Sequence, residues 1–353
     1  MNRFMKVPVL TLSKSGQFHH GNDSYRFRHE IKADFSTNTW YLGPHPDLLK
    51  YLKNEVACIA NYPELQSESL TSQLADYHHV AEDQVLVCNG TAEAIFLIAL
   101  CHQNKASRII KPTFSEYEHA CQVHNHQLSF CGANFIAPGM NTPEGLFWLC
   151  NPNNPTGQVY SRELLQDLIK NNPQTLFIID EAYADFCIDA ISLADFVGKF
   201  KNLLILKSMT KNYCLPGLRL GYVLGHHTQI KEITNYRPPW AVNSLALKAG
   251  EFALNHSMIG DDERLTYLGL AREFQTELSK LNAFEVLSSS TGYFLVKTPM
   301  LANELKQLLV SDFGLLVRDA SNFRGLSDNH IRVATLTREK NEMLVKALKS
   351  IFC

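Results

Sequence analysis

The sequence predicts an α/β protein: a large domain on a mostly parallel sheet, then a smaller α+β C-terminal domain. Three observations carry this. The chain has 353 residues, about two domains at roughly 100–200 residues each. Through its middle, short apolar runs alternate with amphipathic stretches of about a dozen residues, the rhythm of βαβ units with both sheet faces covered. From about Asn255 that rhythm gives way to a long helical stretch and then short strands.

Gln84–Cys88 is a short apolar run of strand type, with Ala92–His102 a buried helix after it. Arg108–Lys111 is a strand closed by Pro112, which has no N–H for a ladder. Ser115–Val123 is a helix, and Gln127–Cys131 and Leu146–Cys150 are further strands. Ser161 supplies a capping oxygen, and Leu164, Leu165, Leu168 and Ile169 recur behind it at helical spacing. Thr175–Ile179, Asn202–Leu206 and Leu218–Leu224 are short, apolar and bounded by polar or turn residues. Beyond them come a helix over Asp261–Leu281, strands at Phe284–Leu287 and Gly292–Val296, a helix near Ala302–Val310 and a strand at Ile331–Ala334. The expected plan is an N-terminal arm (1–45) serving the small domain and the substrate site, a large domain (46–250) and a small domain (251–353).

Composition excludes several classes. Lys plus Arg (33) nearly balance Asp plus Glu (35), for a formal net charge of −2, which argues against a nucleic-acid binder driven by phosphate attraction. The longest near-continuous apolar run, Ala94–Cys101, is far short of the ~20 residues that span a bilayer. Met1–Leu12 has neither a long apolar core nor a small-residue cleavage site. The nine cysteines are odd in number and form no C-x-x-C pair, so reduced thiols and a cytoplasmic location are expected. Fourteen histidines include the pairs His19-His20, His78-His79 and His226-His227, but none has zinc-ligand spacing, so no metal is expected.

The segment Lys207-Ser-Met-Thr-Lys211, followed by Gly217-Leu-Arg219-Leu-Gly221, resembles the cofactor-lysine signature of fold-type-I pyridoxal 5'-phosphate (PLP) enzymes of the class I/II aminotransferase family. Such chemistry needs one lysine to bond the cofactor aldehyde, while a hydroxyl and a guanidinium hold its phosphate. The resemblance makes Lys211 that lysine, and Ser208 and Arg219 phosphate ligands. Asn151-Pro-Asn-Asn154-Pro-Thr-Gly157 resembles the family's Asn-Pro-x-Gly loop, which makes Asn154 a donor to the cofactor's phenolic oxygen. Read by composition alone, it is a Pro/Asn/Gly turn. Asp180-Glu-Ala-Tyr183 places the acid that pairs with the pyridine nitrogen and a tyrosine near the phenolic oxygen. Gly90-Thr91-Ala92 opens a helix, whose free N–H groups attract phosphate. The four segments stand in the family's order.

The resemblance also implies an aromatic stacked on the cofactor, Tyr117 with Phe114 as rival, and gives Tyr62 to the partner subunit's cofactor phosphate in a homodimer. Arg332, in Ile331-Arg-Val-Ala334, resembles the arginine that forks a substrate carboxylate, for which a planar guanidinium suits better than an ammonium. Arg318 and Arg324 add two cations that suit a substrate phosphate. Phosphorylated substrates are handled by two subfamilies, the threonine-phosphate decarboxylases and the histidinol-phosphate aminotransferases. Phe18-His-His20-Gly-Asn22, Asp34-Phe-Ser-Thr-Asn38 with Leu42-Gly-Pro44, and Arg318-Asp-Ala-Ser-Asn-Phe-Arg-Gly-Leu326 are more similar to the decarboxylases, and so assign His20 and Asn38 to the substrate. Trp40-Tyr41 departs from both. Loss of CO2 from a phosphorylated amino acid is therefore the expected reaction, with transamination the alternative and an inactive binding protein more remote.

Overall fold

The computed structural model describes residues 20–187, 191–256 and 258–352; Phe18 and His19 of the arm motif lie outside them. A two-residue strand β1 (Ala33–Asp34) and helices α1 (Pro46–Glu55) and α2 (Glu68–His78) lead into the large sheet. There follow β2 (Val85–Cys88), α3 (Gly90–Cys101), β3 (Ala106–Lys111), α4 (Glu116–Val123), β4 (Gln127–Gly132) and β5 (Gly145–Cys150). Then come α5 (Arg162–Asn171), β6 (Thr175–Asp180), β7 (Leu203–Ser208), α6 (Met209–Asn212), β8 (Gly221–Gly225), α7 (His227–Thr234) and α8 (Ser244–Asn255). The strand order is β2-β8-β7-β6-β5-β3-β4, parallel throughout except that β8 runs against both of its neighbours.

Every residue of β2, β6, β7 and β8 is buried, as parallel strands covered on both faces must be. On one face Leu74 of α2, Leu165 of α5 and Leu247 of α8 pack against Phe147 and Phe177. On the other, Ile98 of α3, Ala120 of α4 and Ile233 of α7 pack against Trp148 and Ile178. The expected cap is present, with Ser161 Oγ accepting from Leu164 N at 3.3 Å.

The smaller lobe holds α9 (Asp261–Ser279), β9 (Glu285–Val286), β10 (Tyr293–Lys297), α10 (Ala302–Leu308), β11 (Leu315–Leu316), β12 (Arg318–Asp319), β13 (His330–Ala334) and α11 (Arg338–Phe352). The order β12-β13-β10-β9 makes an antiparallel sheet. The arm is built into this lobe: β1 pairs in parallel with β11, and a buried ion pair joins Asp23 to Lys306 at 2.6 Å.

Several details differ from the sequence pattern. Strand β8 starts at Gly221 rather than Leu218, because Pro216 opens a 3-10 turn over Pro216–Leu218. Helix α10 ends at Leu308, where a π turn takes over through Phe313. Strands β1, β11 and β12 are two residues long, too short to show any periodicity. No disulfide joins the eight described cysteines.

Phe35 is fully buried between the arm and the lobe, in contact with Phe274 at 6.1 Å between ring centroids. Phe35→Ala is expected to cost about 3–5 kcal/mol, read as a lowered midpoint in chemical unfolding. A loss near zero would mean that the arm is not part of the lobe's core.

Candidate active site

Strand register assembles the site along one rim of the large sheet. Cys150 pairs with Asp180 and Asp180 with Leu206, so the Asn151 loop, Asp180 and the Ser208 end of β7 emerge side by side. Gly221 pairs with both Ser208 and Cys88. The reversed strand thereby brings Arg219, just before it, to the start of α3.

There Gly90 has φ +77, and a Cβ on it would sit 2.6 Å from Arg219 Nη2. Only a residue without a side chain lets the guanidinium approach this first turn. Helix α3 has no side-chain cap, so the N–H groups of its first turn at Gly90, Thr91 and Ala92, with the Arg219 cation and the Ser208 hydroxyl, are the donors a phosphate would use. Ser208 Oγ also caps the short helix α6, accepting from Thr210 N, which sets the turn that carries Lys211.

Asp180 is buried; its Oδ2 accepts from the Tyr117 hydroxyl at 2.6 Å and its Oδ1 from Ala182 N at 2.9 Å. Burial pushes its carboxyl above the usual range, while these donors and the Lys211 charge pull the other way. An acid left in that balance is suited to a cationic partner, which a pyridinium would be. Lys211 Nζ lies 5.7 Å from the centroid of the Tyr183 ring, and Tyr183 meets Tyr293 edge-on at 4.9 Å. Asn154 Oδ1 accepts from Arg332 Nη1 at 2.6 Å. Because an arginine can only donate, this fixes the amide orientation and turns the Asn154 NH2 group outward as a donor. These residues fit PLP: cradle for its phosphate, acid for its nitrogen, amide donor for its phenolic oxygen, amine for its aldehyde.

At the substrate end, Arg318 and Arg332 face each other across β12 and β13, both buried. Burial lowers both, and the Arg332 charge helps bring Arg318 down to about 10. Arg332 Nη2 donates to Ser36 O at 2.7 Å, while its Nε is buried with no partner. Arg318 donates to Asn322 Oδ1 at 2.7 Å and to the Asp319 carbonyl. Asn38 lies between Ser36, which receives Arg332, and Trp40, whose N–H donates to Lys211 O at 2.8 Å. Both polar atoms of its buried side chain lack partners.

Two expectations need correction. Tyr117 does not offer a face to a ligand: it is fully buried, stacked on Trp148 at 5.6 Å and spent on Asp180. The rival Phe114 is half-buried and meets Tyr117 edge-on at 5.7 Å. Arg324 adds no open cation beside Arg332. It forms a two-pronged ion pair with Glu118 of α4 (2.6 and 2.8 Å) and lies over the Phe130 ring. His20 is exposed and meets Glu116, also on α4, at 2.9 Å. Burial works to raise Glu116, but His20 and His119 outweigh it and hold it below its usual range. Tyr62 is 83% exposed and touches Trp240, clear of these residues.

Sequence reasoning missed two supports. Glu181 is buried against Lys207 (2.8 Å) and takes Ser192 Oγ and Leu193 N, which ties these two residues to the end of β6. The signal was present: each charge neighbours a site residue at the end of adjacent strands. Trp40 and Tyr41 build an aromatic wall with Phe186 and Tyr267, which only the tertiary fold brings together. Among the described residues no cluster could hold a metal, and no helix is long and apolar enough to cross a membrane.

A sheet rim carrying this cradle, acid and lysine defines a fold-type-I PLP-dependent enzyme. The sequence matches the family model for aminotransferase class I and II over residues 30–348, and the chain belongs to that family. It is similar to the threonine-phosphate decarboxylase of Salmonella typhimurium, 30% identical over 334 residues and 90% of each chain. It is also similar to the histidinol-phosphate aminotransferase of Caldanaerobacter subterraneus subsp. tengcongensis, 30% identical over 309 residues, 82% of this chain and 84% of that one. Among solved structures, the L-threonine-O-3-phosphate decarboxylase from Porphyromonas gingivalis superposes with a TM-score of 0.87 at 33% identity, covering 90% of this chain and 98% of that one.

Gly90→Ala is expected to weaken PLP binding by roughly 10-fold or more, as one charged hydrogen bond is lost or strained. Titration of the apoprotein with PLP, followed by absorption, checks this. Unchanged affinity would move the phosphate away from α3.

Proposed function

We propose that the protein is a PLP-dependent decarboxylase of a phosphorylated amino acid, with L-threonine O-3-phosphate as substrate. The observation that carries this reading is the pair of buried guanidiniums, Arg318 opposite Arg332, with the unsatisfied Asn38 side chain on the stretch that joins them to Lys211. Like charges held together away from water call for anions. A substrate with a carboxylate and a phosphate supplies both in one molecule, whereas histidinol phosphate brings only its phosphate and an aminotransferase would need its dicarboxylate acceptor to fill the pair. The decarboxylase names among the relatives support the same choice.

When bound, PLP supplies a sink for the electron pair left at Cα as a bond to that carbon breaks. Asp180, whose two donors and neighbouring Lys211 oppose the upward push of burial on its carboxyl, sustains that sink from the pyridine nitrogen. Asn154 and Tyr183 hold the phenolic oxygen, and Ser208, Arg219 and the start of α3 hold the phosphate. Phe114 is the aromatic left to cover the ring. Arg332 and Arg318 bind and orient the substrate's anions, and so choose which bond to Cα stands perpendicular to the ring. Lys211, in its ammonium form, is the acid that returns a proton to Cα. The enzyme works as a cytoplasmic homodimer in which the exposed Tyr62 reaches the neighbouring site.

Supplied with O-phosphothreonine, the protein is expected to release CO2; with histidinol phosphate and 2-oxoglutarate it should form no glutamate. Glutamate without CO2 would reassign it as an aminotransferase. Lys211→Ala should reduce either turnover to background while leaving the fold intact by circular dichroism. For the shared site, sedimentation should give a dimer, and Tyr62→Ala should loosen PLP about 10-fold, the cost of one charged hydrogen bond. A monomer with full PLP affinity would refute the shared site.

A further inference from the structure

We propose that Tyr117 is a positioning residue for Asp180, whose hydroxyl fixes one carboxylate oxygen and keeps the acid ionised toward the cofactor nitrogen. The inference rests on the role read for Asp180 above and adds a residue to it.

An ionised carboxylate has no hydrogen to give, so at 2.6 Å the tyrosine must be the donor. With Ala182 N on the other oxygen, each Asp180 oxygen has one donor, and the plane of the group is set. Both side chains are buried, so water cannot replace a missing donor cheaply. The other ionisable groups around the acid are Lys211 of α6, the adjacent Glu181 and the Cys150 thiol of β5. Of these only Lys211 favours the ionised form, and it is the residue committed to the cofactor.

Tyr117 is itself held from behind. Its ring lies on Trp148 with 20° between the planes. Trp148 Nε1 donates to Ser107 Oγ at 3.3 Å, and Ser107 meets His126 Nδ1 at 2.9 Å. His126 Nε2 meets the Ala99 carbonyl at 2.8 Å. The proton order in this chain is determined at both ends, since an indole only donates and a carbonyl only accepts. His126 therefore carries its hydrogen on Nε2, and Ser107 gives its own to Nδ1. Burial lowers His126, which favours this neutral form. Ala99 belongs to α3, the helix whose first turn is the anion cradle. One frame thus holds both the phosphate end and the nitrogen end of the site.

The test is PLP titration of the apoprotein across pH, followed by absorption, for wild type, Tyr117→Phe, Trp148→Phe and Asp180→Asn. Tyr117→Phe removes one oxygen and nothing else. It should lose roughly 10- to 100-fold in PLP affinity, the worth of a hydrogen bond to a charged group. Losing a donor to the charged form raises the acid's pKa, so the acid limb of binding should move up by about one to two pH units, tenfold per unit. Trp148→Phe keeps the hydroxyl and should give a smaller change in the same direction. If Tyr117→Phe binds within twofold of wild type with an unmoved acid limb while Asp180→Asn binds weakly, the inference is wrong and the role of Asp180 stands. If Asp180→Asn also binds normally, the role of Asp180 falls and takes this inference with it. A larger loss from Trp148→Phe than from Tyr117→Phe would place the effect in packing and overturn the proposal.

Discussion

The guanidinium of Arg332 joins the three parts of this chain. It stands on β13 of the small lobe, donates to the Ser36 carbonyl of the arm and to Asn154 in the loop after β5 of the large sheet. A buried cation is costly to bring out of water, and these neutral acceptors only partly offset that cost. Its Nε remains unsatisfied and Arg318 stands opposite it. The orientation of Asn154 follows from where this group places its hydrogens, and the same group ties the arm and the lobe to the large sheet.

The large sheet supplies the complementary constraint. Its strands β2, β6, β7 and β8 are buried on both faces, so chemistry sits at strand ends, and register decides which ends meet. Asp180, Ser208 and the Asn151 loop are neighbours because Cys150, Asp180 and Leu206 are consecutive partners across β5, β6 and β7. The buried Lys207–Glu181 pair then stiffens two of these ends against each other. At this rim the lobe presents the buried cations Arg318 and Arg332, and the arm seats Arg332 through the Ser36 carbonyl.

Much of this was legible in the sequence. The short uninterrupted apolar runs declared the sheet because burial on both faces removes any polar alternation. The rim residues that the family motif names were legible because that motif couples residue type and spacing, as in Ser208, Lys211 and Arg219. What the sequence did not reveal depends on partners remote along the chain. Tyr117 and Phe114 are three residues apart, and only the presence of Trp148 and Asp180 beside one of them decides which is spent. Arg324 looked like an open cation until Glu118, more than two hundred residues away, was found across from it. Two-residue strands such as β1 and β12 carry no periodicity of their own and exist because a neighbour is there to pair with.

The reversed strand β8 also bears on how the molecule is made. Parallel neighbours in this sheet are joined through long crossovers, but β7 and β8 are joined by a local connection that contains Lys211 and ends at Arg219. Local contacts cost little loop-closure entropy and form faster than distant ones. Lysine, hydroxyl and guanidinium thus belong to a hairpin-like unit that can take its shape before the rest of the rim is in register. The most chemically committed part of the protein is also the part that depends least on long-range order for its own geometry.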